Sequence, residues 1–422
     1  MNHFTDFICG IILPLLLFGG GVFYLFKLRF FFILHPRRFF RALKGADGGS
    51  LKSLSVALAG TLGIGNIVGV ASAILAGGYG AVFWMVASSL LSMGLKYAEV
   101  FLAMKSQRSK SGVLYGGAPY YIYDGARARF GCNAAFALGS LFAVFSIINS
   151  LTTGNLVQIN AISSLFPISP LLLGVILALA VFFIILRGQK SVSAVSSALI
   201  PLLSAFYIVL CLIIIFKNIS SVPLALLRIL RDAFDLKSLT GGVLGYGISS
   251  AIRYGVSRGL LSNEAGAGTS PLAHATSSSE PHAQACLGIF EVFFDTVVLC
   301  TLSALVLILS GAGGGGDAFS FVIRAFGGEL GALGKYGVSV SCLLFAVATV
   351  AAQYFYGAES LRFITRSRLL HVIFSIVFFS VTVFSAVIPN SIMWQISDLA
   401  LATMTIFNLI AIIALNKNVT YK

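Results

Sequence analysis

The chain has 422 residues, 58% of them hydrophobic and only 10% charged, with a mean hydropathy of +0.97. A soluble domain carries about 25% charged residues, so the composition excludes a soluble enzyme, with or without a single anchor. The net charge of +14 would suggest nucleic acid in a soluble protein, but the basic residues stand between apolar spans and read as topology signals. The six cysteines (Cys9, Cys132, Cys211, Cys286, Cys300, Cys342) show neither Cys-x-x-Cys nor Cys/His spacing, which argues against a disulfide framework and a zinc site.

Met1 to Asp6 carries no Lys or Arg, the apolar run 7–26 is long, and positive charges follow it, unlike a cleavable signal. Eleven apolar spans are expected: 7–26, 55–76, 81–104, 134–163, 169–186, 192–216, 245–279, 285–311, 336–357, 369–388 and 391–415. Lys27, Arg29, Arg37, Arg38, Arg41 and Lys44 mark the side after the first span as cytoplasmic and put the N-terminus outside. Alternation then places Lys105, Arg108 and Lys110, Arg187 and Lys190, Arg362, Arg366 and Arg368, and the C-terminal tail on the same side. Residues 217–240 mix Lys217, Arg228, Arg231 and Lys237 with Asp232 and Asp235 and read as an amphipathic outer helix. The outer loop 311–335 opens on a glycine run and reads as a flexible linker.

Two spans are interrupted. The first contains Gly60-Thr61-Leu62-Gly63-Ile64-Gly65-Asn66, whose glycines weaken a helix; the second contains Ser262-Asn263-Glu264-Ala265-Gly266-Ala267-Gly268 with Pro271 beyond. Small residues also let membrane helices pack closely. Yet irregular backbone at membrane depth is tolerated where it lines a cavity, and matching interruptions in two halves point to an inverted-repeat transporter. The expected division is an extra N-terminal helix with a basic loop (1–50), a five-helix repeat (51–216), the outer stretch (217–240), a second five-helix repeat (241–416) and a cytoplasmic tail (417–422).

Glu264 is a carboxylate near the expected midplane, with Arg258 and Arg253 upstream as candidate partners. Asn66 and Asn263, one per break, suit a zwitterion or the freed backbone. Gln158 interrupts an apolar span and should face the interior. Asp295 and Glu291, four residues apart on one face, form a candidate proton site, or else Glu291 is shallow and wet while Asp295 bonds a neighbouring helix; Lys96 and Glu99 read as a structural pair. Thr349 offers a hydroxyl to a sodium ion or to its own helix.

The runs Gly60 to Gly69, Lys96-Tyr97-Ala98-Glu99, Gly116-Gly117 with Tyr120-Tyr121-Ile122, Gly154-Asn155 with Gln158, Ala251 to Gly259, Ser262 to Gly266, Pro271 and Ala273-His274-Ala275 resemble the alanine or glycine:cation symporters. The resemblance covers nearly the whole chain. It implies an all-α fold of the leucine-transporter type, a five-plus-five inverted repeat plus one N-terminal helix, importing alanine or glycine usually with sodium. It implies substrate contacts at Gly63, Gly65, Asn66, Gln158, Asn263, Thr349 and Gln353, and a cation at Gly60, Thr61, Gly63, Ala346 and Thr349. Three departures bear on this: the family favours Thr where this chain has Ile64, Ser-Thr where it has Ala348-Thr349, and Trp where it has Gln353. They bring a proton-coupled permease for a different small amino acid in as the runner-up.

No continuous polar stripe supports a channel. His3, His35, His274, His282 and His371 are dispersed, against a membrane enzyme, and no GxxxxGK[ST] motif supports ATP-driven pumping. The expected setting is the bacterial inner membrane, with Na+ or H+ as coupling ion, no other cofactor, and no nucleic acid or obligate protein partner.

Overall fold

A computed structural model describes residue 5 and residues 7–163, 168–186, 188–234, 245–313 and 315–420. Among them the regular structure is helical except for one hairpin. In order these are α1 (Ile8–Lys27), α2 (Pro36–Lys44), α3 (Gly48–Thr61), α4 (Val68–Gly77), α5 (Gly80–Lys105), the antiparallel strands β1 (Arg108–Lys110) and β2 (Val113–Tyr115), and α6 (Ala118–Ala161). Then follow α7 (Pro170–Ile185), α8 (Gln189–Lys217), α9 (Val222–Ala233), α10 (Gly245–Asn263), α11 (Pro271–His274), α12 (Pro281–Leu309), α13 (Ala318–Ile364), α14 (Arg368–Ser385) and α15 (Asn390–Ala414).

Eight of these are long and apolar enough to cross a bilayer: α1, α5, α6, α8, α12, α13, α14 and α15. The other three expected spans fall on elements too short or too polar to count as a crossing: the broken pair α3/α4, the 16-residue α7, and the broken pair α10/α11, whose 19-residue α10 is rich in Gly, Ser and Arg. The span expected at 134–163 starts just after a break in α6 at Gly131 (φ 80°, ψ 172°), and a further helical stretch runs from Ala118 to that break. One boundary needs correction. Most of the expected 311–335 linker is helix: Asp317 accepts from the Ser320 N–H at 2.8 Å and starts α13, which breaks at Gly331 (φ 61°, ψ −138°). The helical signal was weak there because glycine and charge dilute the apolar pattern.

Within 217–240, α9 carries the amphipathic stretch, and residues 235–240 lie outside the described residues. Ala225, Ile229 and Ala233 form its buried stripe at four-residue spacing. Trp84 of α5 donates to Ala233 O at 3.3 Å and fixes that face.

Two apolar clusters frame the site. One joins α3, α4, α8, α12 and α13; the other joins α1, α5, α10 and α15. α1 seats on α5 so closely that a Cβ at Gly21 would lie 2.8 Å from Leu91 O. Without a hydrophobic driving force between lipid-bathed helices, such small-residue approaches carry the packing.

Candidate substrate and cation site

α3 stops at Thr61 and α4 starts at Val68. Between them Gly63 is extended (φ −139°, ψ −151°) and Ile64–Asn66 make one 3-10 turn. The groups freed by this break are met by side chains from three other helices. Ile64 N–H donates to Gln158 Oε1 of α6 at 2.9 Å. Thr349 Oγ1 of α13 donates to Leu62 O at 3.1 Å, and Ser303 Oγ of α12 to Asn66 O at 2.7 Å. Gly63 N–H donates to Asn66 Oδ1 at 3.0 Å. A Cβ at Gly63 would lie 2.6 Å from Gln158 Oε1 and 2.7 Å from Thr349 Oγ1, so only glycine admits both.

The second break follows Asn263. Glu264 takes a left-handed conformation (φ 49°), as do Gly266 and Gly268 (φ 87° and 83°). For a non-glycine residue that costs on the order of 1–3 kcal/mol, and the surroundings hold it. The Glu264 carboxylate accepts from the Thr269 hydroxyl and from Gln353 Nε2 at 2.9 Å. Glu99 of α5 accepts from the Gly266 and Gly268 N–H groups at 3.4 and 3.1 Å and from Asn408 Nδ2 of α15 at 3.0 Å. Lys96 donates to Asn263 O at 3.1 Å and Ser270 Oγ at 2.7 Å, and faces Glu291 at 3.3 Å and Glu99 at 3.6 Å. Lys96, Glu99 and Glu291 are all fully buried.

Two side chains tie the breaks together. Gln353 Nε2 spans from Glu264 to Gly60 O, at 3.3 Å from the latter. Asp295 accepts from Asn66 Nδ2 at 2.8 Å, Ser262 Oγ at 2.6 Å and Thr296 Oγ1 at 2.7 Å.

The residues expected around substrate thus divide. Gly63, Gly65, Asn66, Gln158, Thr349 and Gln353 converge on the first break or on its contact with the second. A Cβ at Gly65 would lie 3.2 Å from the Ser262 Cα. Asn263 faces the scaffold instead, donating to Ser89 Oγ at 3.0 Å and Thr296 Oγ1 at 2.9 Å while capping Ala265 N–H at 2.9 Å. Among the residues expected around the cation, Thr349 meets the carbonyl of Leu62. Thr61 bonds back to Ala57 O at 3.2 Å, Gly60 O receives Gln353, and Ala346 is buried in α13.

Three expectations are corrected. Arg258 does not pair with Glu264; it pairs with Asp398 of α15 at 2.5 Å, lies 4.2 Å over the Trp394 ring and donates to Ser72 Oγ at 3.0 Å. Arg253 lies over the Tyr254 ring at 5.0 Å. Glu291 is fully buried rather than wet, and it turns to Lys96 and His274 while Asp295 turns to Asn66. The wider π-helical turn over Phe293–Cys300 begins between the two carboxylates and separates their faces.

Glu99 as the acceptor for the second break, Asp398, Asn408 and His274 were missed. Asp398 and Asn408 did carry a signal, as polar side chains inside the apolar span 391–415.

Two discontinuous helices whose freed backbone is held by facing side chains define a secondary transporter of the leucine-transporter class. The same fold is seen in the transporter MhsT, solved with L-phenylalanine (TM-score 0.52, 15% identity, 86% of this chain and 87% of that one). The sodium:alanine symporter family model matches residues 1–422, and the chain belongs to that family. An uncharacterized transporter of Haemophilus influenzae is 36% identical, covering 99% of this chain and 93% of that one. The sodium/alanine symporter AgcS of Methanococcus maripaludis is 32% identical, covering 99% and 94%. The family is one of symporters rather than enzymes.

Proposed function

We propose that the chain imports a small neutral amino acid, alanine or glycine, together with sodium by alternating access. The sodium:alanine symporter relatives support cation-coupled amino acid transport as the activity. One observation carries the site: the freed groups of the first break are held by neutral, exchangeable side chains, namely Gln158, Thr349 and Gln353. A substrate carboxylate replaces Gln158 on the Ile64 N–H and Asn66 Oδ1 on the Gly63 N–H, while its ammonium takes carbonyl or amide oxygens. Sodium takes Leu62 O, neighbouring carbonyls of Gly60–Gly63, and Thr349 Oγ1, all hard oxygen donors.

Glu264 acts through Gln353, and Asp295 acts as the tie between Asn66 and Ser262. The expected orientation, with eleven crossings of the plasma membrane, N-terminus outside and C-terminus inside, rests on the basic residues after α1. Proton coupling remains the second reading because Ala348 supplies no hydroxyl beside Thr349.

The test is labelled-alanine binding to the purified chain, in sodium or an impermeant organic cation. Binding should need sodium, and Gln158→Ala should weaken it with little loss of sodium dependence. Equal binding in both salts refutes the sodium assignment.

A further inference from the structure

Beside the second break, the imidazole of His274 sits fully buried against α12, through side chains that do not touch the first break. His274 Nε2 is 3.0 Å from Glu291 Oε2, and its Nδ1 is 2.7 Å from Gln284 Nε2. The same Gln284 amide donates to Ser53 Oγ of α3 at 2.9 Å. The chain of contacts therefore runs from α3 through α12 to α11, the two inner half-helices and their neighbour.

One arrangement of these contacts has Nε2–H donating to Glu291 and Nδ1 accepting from the Gln284 amide, with a single proton on the ring. Gln284 Oε1 is buried and has no hydrogen-bond partner among the described residues. Rotating that amide by half a turn brings Oε1 to face both His274 Nδ1 and Ser53 Oγ. A proton on Nδ1 then donates to Oε1, and the Ser53 hydroxyl donates to the same oxygen. The site thus holds His274 in either protonation state at the cost of one amide rotation and of the Ser53 hydroxyl's bond to Ser50 O, 2.9 Å as it stands, and amide orientation is assigned from such networks.

Charge balance favours occupancy. Among the described residues, Lys96 is the one lysine or arginine paired with Glu291 and Glu99, at 3.3 and 3.6 Å, in a fully buried setting. An imidazolium against Glu291 supplies a second buried cation where unpaired charge is costly. Among the described residues, the groups around His274 and its partner Glu291 are Gln284 and Asp295 on α12, Lys96 and Glu99 on α5, Ser53 on α3, Glu264 at the second break, and on α13 the Tyr356 phenol, with Asp295, Glu264 and Tyr356 in electrostatic reach of Glu291.

We propose that His274 is a proton-binding site whose occupancy fastens α11 to α12 and so sets how readily the inner half-helices part. Its ligand is a proton, taken up at Nδ1 with no other bond made or broken. Protonated, the His274–Glu291 contact is an ion pair and the inner side stays closed; deprotonated, it is a neutral-donor hydrogen bond and opening is easier. The coupling to uptake rests on the transport reading above, whereas the proton site itself does not.

The full chain, labelled with 15N-histidine in detergent micelles, is titrated from about pH 5 to about pH 8.5, the interval over which an imidazole ordinarily changes charge. The His274 ring signal is the one that His274→Gln removes. It should move from the doubly protonated to the neutral position in the wild type and stay doubly protonated in Gln284→Glu. A wild-type signal fixed in either state across the interval overturns the proposal. In proteoliposomes, sodium-driven alanine uptake should vary at least about fivefold across the same titration, the lower end of ordinary coupling between sites, and His274→Gln should flatten it. A titrating ring with an unchanged uptake profile in His274→Gln overturns the gating role. A titrating ring with no wild-type uptake at any pH leaves the proton site standing and refutes the transport reading.

Discussion

The two breaks solve the same problem with different chemistry. In the first, the freed N–H and C=O groups meet an amide, hydroxyls and an asparagine. In the second they meet Glu99 and Lys96, with Glu264 turned to Thr269 and Gln353. A neutral hydrogen bond is worth about 0.5–1.5 kcal/mol net, so a ligand can replace it cheaply. Breaking a buried ion pair from one side costs about 3–5 kcal/mol, so the second break is fixed in place. One break is built to exchange partners and the other to hold its shape.

The largest expected effect tests the fixed half. Glu99→Ala strands the Gly266 and Gly268 N–H groups and leaves Lys96 with Glu291 as its remaining carboxylate; two buried donors without partners should destabilise the fold by about 2–6 kcal/mol, read as a lower unfolding midpoint in detergent. A midpoint equal to wild type would mean the second break is not held by charge.

Thr349→Ala tests the exchangeable half and should spare the unfolding midpoint. A hydroxyl given up by a charged ligand is worth about 1.5–3 kcal/mol, so half-saturating sodium for alanine uptake should rise roughly 10- to 150-fold. Unchanged sodium dependence would move the cation elsewhere.

Gln353 joins the halves, and a Cβ at Gly154 would already lie 2.5 Å from its Cγ. Gln353→Trp should narrow this contact and shift discrimination against substrates larger than alanine by about 10- to 200-fold, the worth of a methylene of fit. Competition assays with an unchanged substrate profile would place Gln353 outside the selectivity filter.

The smallest effect is a gain. Ala348→Ser adds one oxygen beside Thr349 and should lower half-saturating sodium by about two- to tenfold, the range of one neutral hydrogen bond. No change would show that the new hydroxyl bonds back to its own helix, as Thr349 also does to Phe345 O at 2.9 Å.

The sequence made both breaks legible because glycine clusters in an apolar run are rare and local. It also exposed Gln158 and Thr349, polar residues in apolar surroundings. The partners of the charges were not legible. Arg258 lies six residues from Glu264 yet pairs with Asp398, 140 residues away, because helix rotation and not sequence distance sets which face a side chain takes. Glu291 and Asp295 looked like one face of an α-helix, and the π-helical stretch between them broke that spacing. The roles of Glu99 and His274 depend on a left-handed turn and on an amide from a third helix, neither of which has a local signature.

The central claim is that this chain moves a small neutral amino acid with sodium through the first break. Labelled-alanine uptake into proteoliposomes, with sodium and proton gradients imposed separately, tests it most directly. The account predicts accumulation driven by an inward sodium gradient at equal pH, and little with a proton gradient alone. Uptake that is indifferent to sodium and collapses with a protonophore would contradict it.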